Sequence, residues 1–185
     1  MPNYRRLFIE NSYVFITVVT NKRMPLLIDN VELLRKSFKH AILTYKFDLF
    51  ACAILPDHMH LIIIPEKIEE YPKIIRAIKY NFTQKFNAGG IAIPPYANNQ
   101  STTGLPSGKK QKIWQNRYFE HTIRNETDLN NHLDYIHYNP IKHGYVKAVK
   151  DWEFSSFDNF VKMKNYDESW GSCEDVKHIE TLEYD

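Results

Sequence analysis

The sequence has no hydrophobic run long enough to cross a membrane. Among its 185 residues, no apolar stretch approaches the roughly 18 residues that a spanning helix needs. The first residues, 1–6, are polar and basic, and they lead into a short strand-like segment without the apolar core of a secretion signal. We therefore expect a cytoplasmic protein that does not act at a membrane.

The chain also has few cysteines and a small net charge. The two cysteines, Cys52 and Cys173, lie far apart in the chain, which fits a reducing compartment better than a disulfide framework. The 24 basic and 22 acidic residues give a net charge of +2, so the total charge does not by itself indicate a nucleic-acid partner. Much of the acidic charge follows Asp167, however, which leaves the rest of the chain more basic than the total.

The length and composition indicate one domain. A chain of this length with 43% hydrophobic and 14% aromatic residues can bury a single core. We assign the domain to residues 1–160 and a polar, acidic tail to residues 161–185. The segment 88–112 is rich in Gly, Pro, Asn, Ser and Thr and is expected to form a mobile loop within the domain.

Hydrophobic periodicity predicts an alternation of strands and helices. Strands are predicted at 13–20, 48–55, 60–64 and 117–123, and helices at 29–46, 71–86 and 126–138, with Pro140 helping to end the last helix. The turn residues Pro56 and Asp57 predict that the second and third strands pair antiparallel. This βαββαβ order predicts an α+β fold of the ferredoxin-like type, an antiparallel sheet with two helices on one face. The other face remains for a site or for the additional C-terminal helix.

A pair of histidines, His58 and His60, opens the third predicted strand. Because side chains two residues apart on a strand point to the same face, both imidazoles can bind one divalent ion. The spacing alone is a weak signal, since eight histidines occur in the chain. Oxygen ligands from an amide and from a substrate phosphate would favour Mg²⁺ or Mn²⁺.

A tyrosine and an amide are placed one turn apart on the last predicted helix. Tyr135 and Asn139 therefore share a face, and Asn139 is the candidate third ligand of the ion. A core tyrosine is the alternative interpretation of Tyr135. A phenol with a pKa of about 10 also needs a metal or a base to act as a nucleophile at neutral pH.

Four motifs in order make the pattern specific. They are PDHMHL at 56–61, WQNRYFEHTIRN at 114–125, DYIHYNPIKHG at 134–144 and WEFSSF at 152–157. Over residues 4–160 the sequence resembles the REP-associated tyrosine transposases, the branch of the single-tyrosine HUH transposases that is tied to small DNA hairpins. The resemblance implies a ferredoxin-like sheet that carries the histidines and a following helix that carries the tyrosine.

The resemblance also implies roles for residues. His58 and His60 would bind the metal, Asn139 would complete its ligands, and Tyr135 would attack single-stranded DNA beside a hairpin. The products would be a 5′-phosphotyrosine and a free 3′-hydroxyl, so that strands can be rejoined by a monomer or a homodimer. Three further residues are assigned to the neighbourhood of the site with their role open: Glu120, His121 and Tyr138.

Basic residues are the candidates for DNA contacts, with a solvated basic surface as the alternative. They are Arg5, Arg6, Arg117, Arg124 and Lys142. Two other functions remain open from the sequence. One is a domesticated hairpin-binding protein that no longer cleaves, and the other is a metal-dependent hydrolase of a small phosphodiester that uses a water molecule.

Overall fold

A four-stranded antiparallel sheet with helices on both faces forms the protein. The computed structural model describes residues 7–89 and 111–171. Arg5, Arg6, Cys173 and most of the predicted loop 88–112 lie outside these ranges. Within them, no helix is both long enough and apolar enough to span a membrane.

The sheet confirms the ferredoxin-like prediction. The strands are β1 (Val14–Val19), β2 (Phe47–Ile54), β3 (His58–Pro65) and β4 (Phe119–Thr122). Their spatial order is β2-β3-β1-β4, and every neighbouring pair is antiparallel. The third strand begins two residues before its predicted start, so both His58 and His60 lie inside it.

Two helices cover one face of the sheet. They are α1 (Val31–Thr44) and α2 (Tyr71–Ala88), and each presents one apolar stripe. These stripes pack on alternate residues of the central strands because successive strand side chains point to opposite faces. The resulting core includes Val14, Ile16, Val18, Leu34, Phe38, Met59, Leu61, Ile63, Ile74, Ile78 and Phe82.

The opposite face is covered by the C-terminal helices α3 (Glu126–Lys142) and α4 (Phe157–Lys162). Asn125 caps α3 by accepting a hydrogen bond from the Asp128 amide at 2.9 Å. The apolar residues of α3 and α4 complete a second core with Phe15, Ala51, Ala53, Leu55, Ile62, Leu133, Ile136 and Phe160. The tyrosine-bearing helix therefore lies on the sheet face that the sequence left for it.

The end of α3 corrects one prediction. Pro140 was expected to help end the helix near Tyr138, but α3 continues through the proline to Lys142. The proline only removes one backbone donor, and the helix ends at Lys142, two residues before Gly144, whose φ of +72° suits glycine. The Gly144 amide bonds the Ile141 carbonyl at 2.8 Å. The extra turn brings His143 to the end of the helix.

The WEFSSF motif protects the edge strand β2. The Ile54 amide donates to the Phe154 carbonyl at 2.8 Å, and the Ser156 amide donates to the Cys52 carbonyl at 2.9 Å. The Trp152 indole donates to the Ile54 carbonyl at 3.0 Å. These bonds satisfy backbone groups that an open edge would leave exposed to pairing with another chain.

Ser156 joins that edge to α3. Its hydroxyl oxygen accepts from the Cys52 amide at 3.0 Å and lies 2.9 Å from Nε2 of His137 on α3. Burial lowers the pKa of His137 to about 3, so this imidazole is neutral. The serine therefore fixes the position of α3 relative to β2 without a buried charge.

The described part of the predicted tail, 161–171, carries two aromatic residues that pack on the second core, Tyr166 and Trp170. The Tyr166 hydroxyl also donates to the Asp134 carboxylate at 2.7 Å. These contacts place this segment against α3. The domain boundary at residue 160 remains a prediction.

Replacing Ser156 tests its role in fixing α3. Ser156→Ala leaves the Cys52 amide and Nε2 of His137 without this partner, so we expect the free energy of unfolding to fall by about 1–3 kcal/mol. Ser155→Ala is the matched control, because the half-buried Ser155 hydroxyl accepts only one hydrogen bond among those described, from the Phe157 amide. Urea unfolding measures both variants, and equal losses would contradict the proposed role.

Candidate active site

The two histidines of β3 lie side by side on the face that α3 covers. Their ring centroids are 4.9 Å apart and the rings are nearly perpendicular, at 84°. Both side chains are buried, at 1% and 0% exposure. On the neighbouring strand β1, Thr17 pairs with His60 and Val19 pairs with His58, so the sheet fixes both backbones.

Each histidine is oriented through its Nδ1 atom. His58 Nδ1 lies 2.6 Å from the Asp57 carboxylate, which also meets the Arg23 guanidinium at 3.3 Å. His60 Nδ1 lies 2.8 Å from the Thr17 hydroxyl. These partners fix the orientation of both rings through Nδ1, as hydrogen-bond partners do for histidines that bind metals through the other nitrogen.

The charge on Asp57 fixes the tautomer of His58. Burial alone would raise the pKa of Asp57, but the hydrogen bonds and charges of His58 and Arg23 outweigh it and hold the pKa below its usual value. An ionised Asp57 accepts the proton on Nδ1 of His58. The Nε2 atom of His58 then carries the lone pair that a metal requires.

Helix α3 brings Tyr135 against the histidine pair. The Tyr135 ring meets the His60 ring edge-on, with centroids 5.2 Å apart at 81°. The tyrosine is completely buried, and the ammonium of Lys142 lies 4.8 Å from the centroid of its ring. Lys142, predicted as a DNA contact, is therefore a neighbour of the tyrosine.

Asn139 lies between two contacts that α3 makes with the histidines. One turn before it, Tyr135 contacts His60, and one turn after it, His143 contacts His58 with ring centroids 4.9 Å apart. Residues four apart share a helix face, so Asn139 faces the pair. Asn139 is fully buried, and neither atom of its amide has a hydrogen-bond partner in the parts of the chain that are described.

These buried polar atoms fit a cation. The Nε2 atom of His58 also lacks a hydrogen-bond partner within residues 7–89 and 111–171. A buried polar group without a partner costs about 1–3 kcal/mol, so such groups point to a ligand. Imidazole nitrogens and an amide oxygen together are a donor set that suits a divalent ion.

The three residues with open roles are separated by the structure. Glu120 and His121 are consecutive on β4 and point to opposite faces, with His121 on the side of α3. His121 Nε2 lies 2.8 Å from the Asp128 carboxylate, a contact that the sequence did not reveal. Tyr138 is half-buried and packs against the second core.

Sequence reasoning missed the orienting residues around the histidine pair. Arg23 and Thr17 come from other segments, and Thr17 lies opposite His60 because β1 pairs with β3. Asp57 directly precedes His58 and was interpreted only as a turn residue. His143 was part of a quoted motif, but its contact with His58 requires the helix to pass Pro140. The sequence offered one indication of this contact: His143 lies eight residues after Tyr135, and so on the same face if the helix continues that far.

A groove lined by basic and aromatic residues lies along α2. It encloses about 430 Å³ and is lined partly by Arg76, Lys79, Tyr80, Trp114 and Tyr118. The Lys79 ammonium donates to the Gln115 carbonyl at 2.8 Å and lies 5.9 Å from the centroid of the Tyr118 ring. Burial, together with the charge of Lys112, lowers the pKa of Lys79 to about 8.

The predicted DNA contacts Arg117 and Arg124 are both exposed. Arg117 lies in the chain between Asn116 and Tyr118, which line this groove. Arg124 follows β4 and its backbone amide donates to the Asp128 carboxylate at 2.9 Å. The structure therefore places Arg117 beside the groove and Arg124 at the start of α3.

Comparisons with known proteins agree with this arrangement. Residues 8–139 match the family model described as "Transposase IS200 like". The chain is 37% identical to the REP-associated tyrosine transposase of Escherichia coli strain K12 over 176 residues, which cover 92% of this chain and 91% of that protein. It is 40% identical over 179 residues to a Haemophilus influenzae protein whose assignment under the same name is provisional, with 96% and 97% coverage.

A solved structure of a REP-associated tyrosine transposase bound to a REP hairpin has the same fold. It superposes with a TM-score of 0.74 at 35% identity and covers 92% of this chain and 91% of its own. The match spans both the sheet with its histidines and the helix with its tyrosine. The chain thus belongs to the IS200-like transposases and, among them, to the REP-associated tyrosine transposases.

Proposed function

We propose that the protein is a metal-dependent transposase that nicks and rejoins single-stranded DNA beside hairpin sequences through Tyr135. The observation that carries the proposal is the contact between the Tyr135 ring and His60 at 5.2 Å. A phenol, two imidazoles and an amide are thereby held on one face of the sheet. The name of the solved relative bound to a REP hairpin supports a hairpin as the partner.

His58, His60 and Asn139 are the proposed ligands of the ion. The Asp57 carboxylate holds the ring of His58 through Nδ1, and the Thr17 hydroxyl holds the ring of His60 through Nδ1. Mg²⁺ or Mn²⁺ bound there would polarise the scissile phosphate and favour charge build-up on its oxygens. The protein supplies a rigid, buried site in which few water molecules compete for that phosphate.

Tyr135 is the proposed nucleophile. Its oxygen attacks the phosphorus, a P–O bond to the tyrosine forms, and the bond from phosphorus to the 3′ oxygen breaks. The tyrosine loses its proton and the departing 3′ oxygen gains one, so the products are a 5′-phosphotyrosine and a 3′-hydroxyl. The phosphodiester energy is retained, and attack by a 3′-hydroxyl in the reverse direction rejoins the strands.

Lys142 links activation of the tyrosine to access by DNA. Its ammonium lies over the Tyr135 ring, where its charge favours the negative charge that develops on the phenol. Because Tyr135 is fully buried, side chains around it must move before a phosphate can reach it. Lys142 is exposed, so it can turn from the ring towards an incoming phosphate.

The groove along α2 is the proposed path of the DNA. Tyr80 is 61% exposed, so its ring is available to stack on an unpaired base. Arg76 and Lys79 line the same groove and provide charges for phosphates, and Arg117 lies beside it. Arg5, Arg6 and Arg124 remain proposed contacts.

A non-cleaving hairpin-binding protein is the second candidate function. The observation that favours it is the complete burial of Tyr135, which a protein that only binds DNA can tolerate. Such a protein needs the groove but not the histidine pair. Covalent attachment to DNA separates the two functions.

Replacing the tyrosine tests the chemistry. Wild-type protein incubated with Mn²⁺ and single-stranded DNA that contains a hairpin should form a covalent adduct carrying the label placed 3′ of the cut. Tyr135→Phe lacks the attacking oxygen and should form none, whereas the matched variant Tyr138→Phe should retain the adduct. Denaturing gels measure both.

Two outcomes would overturn the transposase proposal. Binding of the hairpin by wild-type protein without any adduct would favour the non-cleaving binder. An adduct that persists in Tyr135→Phe and is lost in Tyr138→Phe would show that Tyr138, and not Tyr135, is the nucleophile.

Replacing Asn139 tests whether its amide is kept for a ligand. Asn139→Leu has the same number of side-chain heavy atoms but removes two buried polar atoms without partners, so the metal-free protein should gain about 1–2 kcal/mol in free energy of unfolding. The same variant should lose adduct formation. Asn125→Leu is the matched control and should lose about 1 kcal/mol, because it removes the cap of α3. Urea unfolding in EDTA measures both, and destabilisation by Asn139→Leu would contradict the ligand assignment.

The pKa of Lys79 predicts how DNA binding depends on pH. Lys79 is charged below a pH of about 8 and loses its proton as the pH rises through that value. Above it, binding of a phosphate requires uptake of a proton, so affinity should fall by up to about tenfold per pH unit. The arginine in Lys79→Arg stays charged, so this variant should lack the decrease in DNA affinity that deprotonation of Lys79 causes above pH 8. Fluorescence anisotropy between pH 7 and 9 at fixed salt measures it, and equal slopes would exclude Lys79 as a contact.

A further inference from the structure

A second group of metal-binding residue types lies at the start of α3. It consists of His121, Asp128 and His132, each of which offers one ligand atom within 4.8 Å of the others. His121 comes from β4, while Asp128 and His132 are one turn apart on α3. We refer to these three residues as the triad.

The triad is separate from the histidine pair of β3. The ring of Phe15 lies between them, with its centroid 4.7 Å from that of His132 and 5.9 Å from that of His60. The triad therefore contains none of the ligands proposed for the catalytic ion. The transposase chemistry argued from Tyr135 makes no use of it.

Hydrogen bonds hold the triad together. The Asp128 carboxylate accepts from Nε2 of His121 at 2.8 Å, and the Asp128 backbone carbonyl accepts from Nδ1 of His132 at 2.7 Å. The same Nδ1 atom lies 3.1 Å from the carboxylate. The two imidazole rings stack nearly parallel, at 11°, with centroids 4.7 Å apart. The three ligand groups are thus close together before any ion binds.

The exposure of the triad provides access for an ion. His132 is 1% exposed, whereas the His121 and Asp128 side chains are 25% and 19% exposed. A site with a buried inner ligand and two outer ligands leaves coordination positions open to solvent. Two imidazoles and one carboxylate on one side of an ion are a set that suits Zn²⁺, Fe²⁺, Co²⁺ or Mn²⁺.

We propose that the triad is a second divalent-cation site of this protein. Binding displaces the proton that His121 donates to the carboxylate and, if Nδ1 is the ligand atom, the proton that His132 donates to the Asp128 carbonyl. It also requires the more exposed His121 ring to rotate, because parallel rings cannot both direct a lone pair to one point. The Asp128 carboxylate can bind through one oxygen while the other still accepts from the Arg124 amide at 2.9 Å. The hydrogen bond between the Arg124 amide and Asp128 is therefore kept.

An ion in the triad would join β4 to the first turn of the helix that carries Tyr135. Asp128 precedes the tyrosine by seven residues, two turns along α3. Because a bound ion stabilises only the folded arrangement, it should raise the unfolding temperature of the chain. This effect does not depend on DNA or on cleavage, so it is independent of the proposed transposase activity.

Cobalt titration of variants tests the proposal. EDTA-treated His58→Ala/His60→Ala protein lacks the first pair, so the visible d–d absorption that appears with Co²⁺ reports the second site. We expect about one Co²⁺ per chain in this variant and a rise in unfolding temperature. Adding Asp128→Asn, which keeps the side-chain size and an acceptor for the Arg124 amide, should weaken Co²⁺ binding by more than about tenfold. His121→Gln should do the same.

The outcomes decide between an ion site and a hydrogen-bonded cluster. No Co²⁺ absorption in the His58→Ala/His60→Ala variant would overturn the proposal, as would absorption that persists in both triad variants. Thermal unfolding in EDTA shows that each variant is folded. If the His58→Ala/His60→Ala variant gives no Co²⁺ absorption but the wild-type protein forms the DNA adduct, only the triad proposal is rejected. If the variant gives the absorption but the wild-type protein forms no adduct, only the transposase proposal is rejected.

Discussion

The packing of α3 across the histidine-bearing face of the sheet is the contact on which the rest of the structure depends. It places Tyr135 against His60 and His143 against His58, with Asn139 between them. Three sets of contacts hold the helix there: the second apolar core between α3 and the sheet, Ser156 at the edge of β2, and the triad at the first turn of α3. A rotation of α3 by one residue would turn the phenol away from the imidazoles.

The sheet face under α3 buries polar groups, which costs stability, whereas the opposite face buries few of them. The core under α1 and α2 is built largely from apolar side chains, whereas the face under α3 buries imidazoles, an amide and a phenol. Some of these polar atoms have no protein partner in the described chain. Aromatic rings pack around these groups, and such buried polar atoms are the pattern expected where a site is prepared for a ligand.

The proposed catalytic residues and the proposed DNA groove lie with different helix layers. The histidine pair, the tyrosine and the triad all lie with α3, while the basic and aromatic groove lies along α2. Thr20, at the end of β1, connects the two regions, since it pairs with Trp114 of the groove segment and its hydroxyl donates to the Asp57 carbonyl. DNA that follows the groove would thus approach the sheet at the end where His58 lies.

The sequence by itself determined the order of elements, the sheet face shared by His58 and His60, and the helix face shared by Tyr135 and Asn139, because strand and helix periods are local properties. It misplaced the end of α3, since a proline inside a helix is tolerated when packing holds both sides. Only the tertiary structure decided that Asp57 orients His58, that Lys142 lies over the tyrosine, and that His121 meets Asp128 and His132. Those contacts depend on side-chain orientations and on how α3 packs against the sheet, which the strand and helix periods do not specify.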